Sequence, residues 1–162
     1  MRKYQTFPYT NGLCLSCCLQ SVLGRRNIPP PNLEEISGYF EKRDKGLVVE
    51  QASLNRFLQK YMLKAEHQTA KGVIEPDLIL RNAFQQDTDV LTAYSYDVLF
   101  KKRKSSLHIS LLTDFNEGIE KEVLLFDSGF PESFLKRVSL PDLVNSILAT
   151  ESANSGFYLI SS

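Results

Sequence analysis

The sequence predicts an α+β fold, with a helical N-terminal part packed on a C-terminal antiparallel sheet. Apolar residues recur at helical spacing in several segments between Cys14 and Gln86. After Gln86 the pattern changes to β-rich runs. Two of these runs are joined by the turn Asn116-Glu117-Gly118, which makes them antiparallel neighbours. The 162 residues suit one domain, spanning 1–162.

In chain order, Leu15, Cys18, Leu19, Val22 and Leu23 form one apolar face over Cys14–Arg25, after a turn at Asn11 and Gly12. The stretch "NIPPPN" stops that helix. Asn32 caps a second one read over 33–43, with Glu35 at the third helical position as in a capping box. A third helix is read over 49–62, with Leu54, Phe57, Leu58 and Met62 on its stripe. The segment "LKAEHQTA" reads as extended and "EPDLILRNAFQQ" as a short fourth helix. The runs "DVLTAYSYDVLF", "LHISLLTDF", "EVLLFDSG" and "FLKRVSL" read as strands. "LPDLVNSILATE" returns to helix, and "GFYLISS" closes the sheet.

Composition narrows the function. Nineteen basic residues balance nineteen acidic ones, so no field over the whole surface attracts nucleic acid or an anionic membrane. No run of 18 apolar residues is present, and no apolar segment follows the basic N-terminus, so neither a spanning helix nor a cleavable signal peptide is expected. The expected location is the cytoplasm, or outside the cell by a leaderless route. The run "KKRK" at Lys101–Lys104 is most simply a solvated loop, although its place before His108 would also suit the border of a substrate cleft.

The three cysteines, Cys14, Cys17 and Cys18, lie within five residues. An odd, clustered set does not build a disulfide framework. Cys14 and Cys17 form C-x-x-C, but no second such pair exists, and the two histidines, His67 and His108, are isolated in sequence. No structural metal is expected, and no cofactor. For Cys17 and Cys18 the simplest role is core packing.

Cys14 differs because it opens a helix, where unpaired N–H groups and the positive dipole end favour a thiolate. His108 starts one strand, and Asp127 ends the strand that the turn folds back on it, so the two should be neighbours. Cysteine, histidine and acid in that order make a candidate catalytic triad. The imidazole takes the thiol proton, and the carboxylate orients the imidazole. Cys17 is the rival nucleophile.

The stretch "CLSCCLQSVLGRRNI", the histidine strand "HISLLTDF", the strand ending in "FDSG" and the tail "VSLPDLVNSILATESANSGFYLISS" together resemble papain-like cysteine peptidases. Among these, they are most similar to the bacteriocin-processing, double-glycine-leader peptidases. The resemblance implies a papain-like fold and a Cys14–His108–Asp127 triad. It also implies a peptide or protein substrate, cleaved through an acyl-enzyme. Without an attached ATP-binding or membrane domain, a stand-alone peptidase is expected. The family places a glutamine six residues before its nucleophile as an oxyanion donor; that position here is Pro8, which leaves Asn11 and Gln5 as candidates, and the same spacing from Asn11 is what makes Cys17 the rival nucleophile. The glycine that follows the family's nucleophile is replaced by Leu15.

Two other classes share these residues. Acyltransferases similar to the butirosin type pass the acyl group to an amine, and a catalytically inactive peptide-binding domain would keep the fold without the chemistry. Lasso-peptide leader proteases are a further relative, but they follow the histidine with a tryptophan, a residue this chain lacks.

Overall fold

The computed structural model describes residues 1–7, 13–43, 46–69, 75–101, 107–127, 135–150 and 152–162. It is a mixed α/β structure with an N-terminal helix and a six-stranded antiparallel sheet. In chain order the elements are α1 (Cys14–Arg25), α2 (Leu33–Ser37), the short pair β1 (Lys42–Arg43) and β2 (Gly46–Leu47), α3 (Gln51–Leu58), β3 (Lys64–Thr69), α4 (Pro76–Gln85), β4 (Asp89–Ser95), α5 (Tyr96–Phe100), β5 (Leu107–Asn116), β6 (Glu122–Phe126), β7 (Leu135–Ser139), α6 (Leu140–Leu148) and β8 (Gly156–Ser161). The sheet order is β3-β8-β4-β5-β6-β7, so the last strand of the chain is inserted between β3 and β4.

Because side chains alternate along a strand, the sheet serves two cores. On one face Leu91, Ala93, Ile109, Leu111, Tyr158 and Ile160 meet the apolar stripes of α1 and α3. On the other, Val90, Tyr94, Leu112 and Phe157 meet α4 and α6. Helix α1 is therefore covered on nearly all sides, and Leu15 through Leu23 are buried without a break.

Three elements differ from the sequence expectation. The second helix ends at Ser37 rather than reaching Arg43. Asn32 does cap it, its side chain accepting the Glu35 N–H at 2.8 Å, but the chain turns after Gly38 and buries Phe40 beside Phe57. The third helix loses Met62 from its stripe: after Leu58 the helix tightens to a 3₁₀ turn, and Met62 itself is left-handed (φ 57°) and exposed. The run "DVLTAYSYDVLF" divides at Ser95, and its second half is α5. Aromatic residues four apart, Tyr96 and Phe100, pack together along the helix, their rings tilted with centroids 4.6 Å apart. Those residues also favour strand, so the periodicity was ambiguous.

The two ends of the sheet have different roles. At one end α1 finishes and Asp89 begins β4. There Arg25 and Arg26 converge on the fully buried Asp89 carboxylate, at 2.6 Å and 2.7 Å from their Nε atoms, and Tyr4 donates its hydroxyl at 2.7 Å. The opposite end collects the start of α1, the end of β4, the start of β5, the end of β6 and the start of β7. Every residue of the expected triad comes from this second end.

Candidate active site

Antiparallel pairing assembles this end of the sheet. Strand β5 pairs with β4 so that His108 lies opposite Tyr94, and with β6 so that Leu111 lies opposite Phe126. Asp127, just past Phe126, thereby reaches His108. His108 Nε2 stands 2.9 Å from Asp127 Oδ1, and Asp127 is fully buried. A carboxylate only accepts, so Nε2 carries the proton, and the second ring nitrogen is Nδ1.

The imidazole is walled by aromatic rings. Tyr94 and Tyr96 meet it edge-on, with centroids 5.8 Å and 5.2 Å away. The Tyr94 hydroxyl lies 3.1 Å from Ser110 Oγ. On β7, Lys136 places its ammonium 3.3 Å from Asp127 Oδ2 and donates to the Tyr96 hydroxyl at 3.1 Å. The same ammonium lies over the rings of Phe100 and Tyr96, 4.8 Å and 5.1 Å from their centroids. Lys136 and Tyr96 were not expected from sequence. The available signal was topological: a lysine two residues into the strand that follows Asp127.

Cys14 opens α1 at the same end. Leu13, the residue before the helix, offers no side-chain cap to its first N–H groups, and the first helical bond runs from Cys17 N–H to Leu13 C=O. Cys14 packs against the core cluster that includes Ile109, the residue after His108. The sequence expectation of a favoured thiolate changes here. Cys14 is half-buried. Burial pushes its thiol up to about 11, outweighing hydrogen bonding from the backbones of Ile109 and Leu15 that pulls it down, and the Asp127 charge pushes it further up. Desolvation therefore prevails at this helix terminus over the stabilisation of a thiolate expected from sequence.

The other expected residues separate. Cys17 and Cys18 are fully buried, and Cys18 faces the Ile109 carbonyl at 3.7 Å. Gln5 is not near the thiol. Its side chain lies against Gly24, and its carbonyl accepts from Ser21 Oγ at 2.8 Å. Ten residues of helix, roughly 15 Å at the α-helical rise, separate Gly24 from Cys14. The chain's N-terminal segment runs along the far half of α1, which removes Gln5 from the oxyanion position. Asn11, Pro8 and 102–104 of the basic run lie outside the described residues. His67 sits on β3, its ring stacked on Tyr158 at 4.0 Å and its Nε2 3.1 Å from the Ser155 carbonyl, a structural placement.

Among the described residues, no group of three or more His, Cys, Asp or Glu is arranged to hold a metal. No helix among them is long and apolar enough to cross a membrane. No family model and no curated protein matches the chain.

Proposed function

We propose that the chain is a thiol-dependent hydrolase with a papain-like fold, most specifically a cysteine peptidase acting on a peptide or protein. The observation that carries this reading is the His108–Asp127 pair, joined at 2.9 Å around a fully buried carboxylate at the sheet end where α1 begins with Cys14. A carboxylate that holds Nε2–H leaves Nδ1 to take a proton, the task of the base in a cysteine triad.

In this mechanism His108 Nδ1 takes the Cys14 proton as the sulfur attacks the substrate carbonyl. The oxyanion formed is held by the backbone N–H of Cys14 at the helix start. His108 then gives that proton to the departing amine, and the acyl group remains on sulfur. Water, deprotonated by the same imidazole, releases the acid and restores the thiol. Burial raises the thiol, and the mechanism assigns removal of its proton to His108. Replacing water by an amine in the last step would give the acyltransferase variant of the same chemistry.

One observation favours a second reading, a catalytically inactive peptide-binding domain: burial moves the Cys14 thiol away from the reactive form. Incubation with an activated ester, followed by mass mapping, separates the two. The hydrolase acquires a single acyl group on Cys14, lost in Cys14→Ala and slowed in His108→Ala. An inactive domain acquires none above the background of Cys17 and Cys18.

A further inference from the structure

Asp127 has two carboxylate oxygens, and the protein uses them separately. Oδ1 faces His108 Nε2 at 2.9 Å, and Oδ2 faces Lys136 Nζ at 3.3 Å. Lys136 is itself constrained. Its ammonium donates to the Tyr96 hydroxyl and rests on the π faces of Tyr96 and Phe100, both carried by α5. Tyr96 closes the circuit by setting its ring edge against the His108 imidazole, 5.2 Å between centroids. Four side chains thus meet in a ring: His108 on β5, Asp127 just past β6, Lys136 on β7 and Tyr96 on α5.

We propose that Lys136 is a positioning residue for the thiol site, fixing the Asp127 carboxylate from its far side so that Oδ1 stays aimed at His108. The inference rests on the reading of Cys14, His108 and Asp127 as one site, and it adds a fourth side chain that the triad does not contain. A carboxylate can turn about its Cβ–Cγ bond, and a charge-assisted hydrogen bond to Oδ2 opposes that turn while Oδ1 faces His108. The ammonium is well placed for this because the Lys136 side chain is largely buried and its head meets both the Asp127 carboxylate and the Tyr96 phenol. Tyr94, Tyr96 and Asp127 are ionisable groups described around the imidazole.

The test uses the full chain with Lys136→Met, which keeps the stem without the charge, and Lys136→Arg, which keeps the charge. Two readouts are taken: solvent exchange of the His108 Nε2–H proton by NMR, and the rate of Cys14 alkylation at pH 7. The sequence has two histidines, so the His67 N–H is an internal reporter of folding. The expected result is exchange at His108 and loss of Cys14 reactivity each by about tenfold in Lys136→Met, as for one lost charge-assisted bond. His67 is unchanged, and Lys136→Arg recovers most of both. Unchanged His108 exchange in Lys136→Met, with His67 intact, overturns the inference. So does a His108 loss that Lys136→Arg does not repair. If wild-type Cys14 shows no His108-dependent reactivity, the hydrolase reading fails, while the exchange readout still decides whether Lys136 fixes the His108–Asp127 pair.

Discussion

His108 Nε2 and Asp127 Oδ1 meet at 2.9 Å although 19 residues separate them in the chain, and the carboxylate they share is closed to water. In such surroundings the hydrogen bond sets both the ring's tautomer and its direction. Asp127→Asn keeps the shape but leaves an amide that can turn its NH₂ toward Nε2. Cys14 alkylation at pH 7 is expected to fall at least about tenfold, with a stability loss of about 1–2 kcal/mol in urea unfolding. A stability loss without a reactivity loss would assign Asp127 a structural role alone.

The far end of α1 is fastened by charge. Asp89 is fully buried under Arg25, Arg26 and the Tyr4 hydroxyl. Removing one partner from such a cluster strands the others. Asp89→Ala is expected to cost about 3–5 kcal/mol, read as a lowered urea midpoint. A change under about 1 kcal/mol would place those arginines among weak surface pairs.

His67 gives the fold a dependence on pH. Burial lowers its pKa in the folded state, whereas an unfolded histidine titrates near 6.5. Below about 6.5 the unfolded chain binds more protons, so stability is full above that value and falls as pH drops through the depressed folded value. His67→Gln should flatten the part of the melting temperature's pH dependence that lies below about 6.5. An identical slope in the variant would remove His67 from this role.

Gly156 begins β8 with φ +132°, and a Cβ there would overlap the Gln68 carbonyl oxygen on β3. Gly156→Ala should therefore cost at least about 2 kcal/mol and expose amides of β3 to hydrogen exchange before the rest of the sheet. Wild-type protection across β3 in that variant would contradict the close approach.

The sequence carried the order of most elements because their periodicities are long and clean. The α1 stripe and the alternation in β5 and β6 are examples, and the turn between those strands was enough to bring His108 to Asp127. Less was legible where local patterns compete. Tyr96 and Phe100 fit a strand as well as the helical turn they form. Glu35 and Asn32 marked where α2 begins but not where it ends. At the site, sequence placed Cys14 at a helix start yet gave no measure of how deeply the sheet would cover it, and that burial reverses the expected direction of its pKa. Gln5 was a candidate by spacing alone, while its place beside Gly24 follows from the path of the N-terminal segment. Lys136 was invisible for the same reason: its meaning comes from β7 lying beside β6.

The most direct measurement is the rate of Cys14 alkylation against pH, in the wild type and in His108→Ala, with each cysteine mapped. If His108 takes the thiol proton, Cys14 reacts fastest of the three between about pH 6 and 7. In His108→Ala that reactivity drops by at least about tenfold. If Cys14 instead stays slow in both proteins until the pH approaches the raised value of about 11, it is a buried thiol beside an unrelated histidine, and the hydrolase reading is wrong.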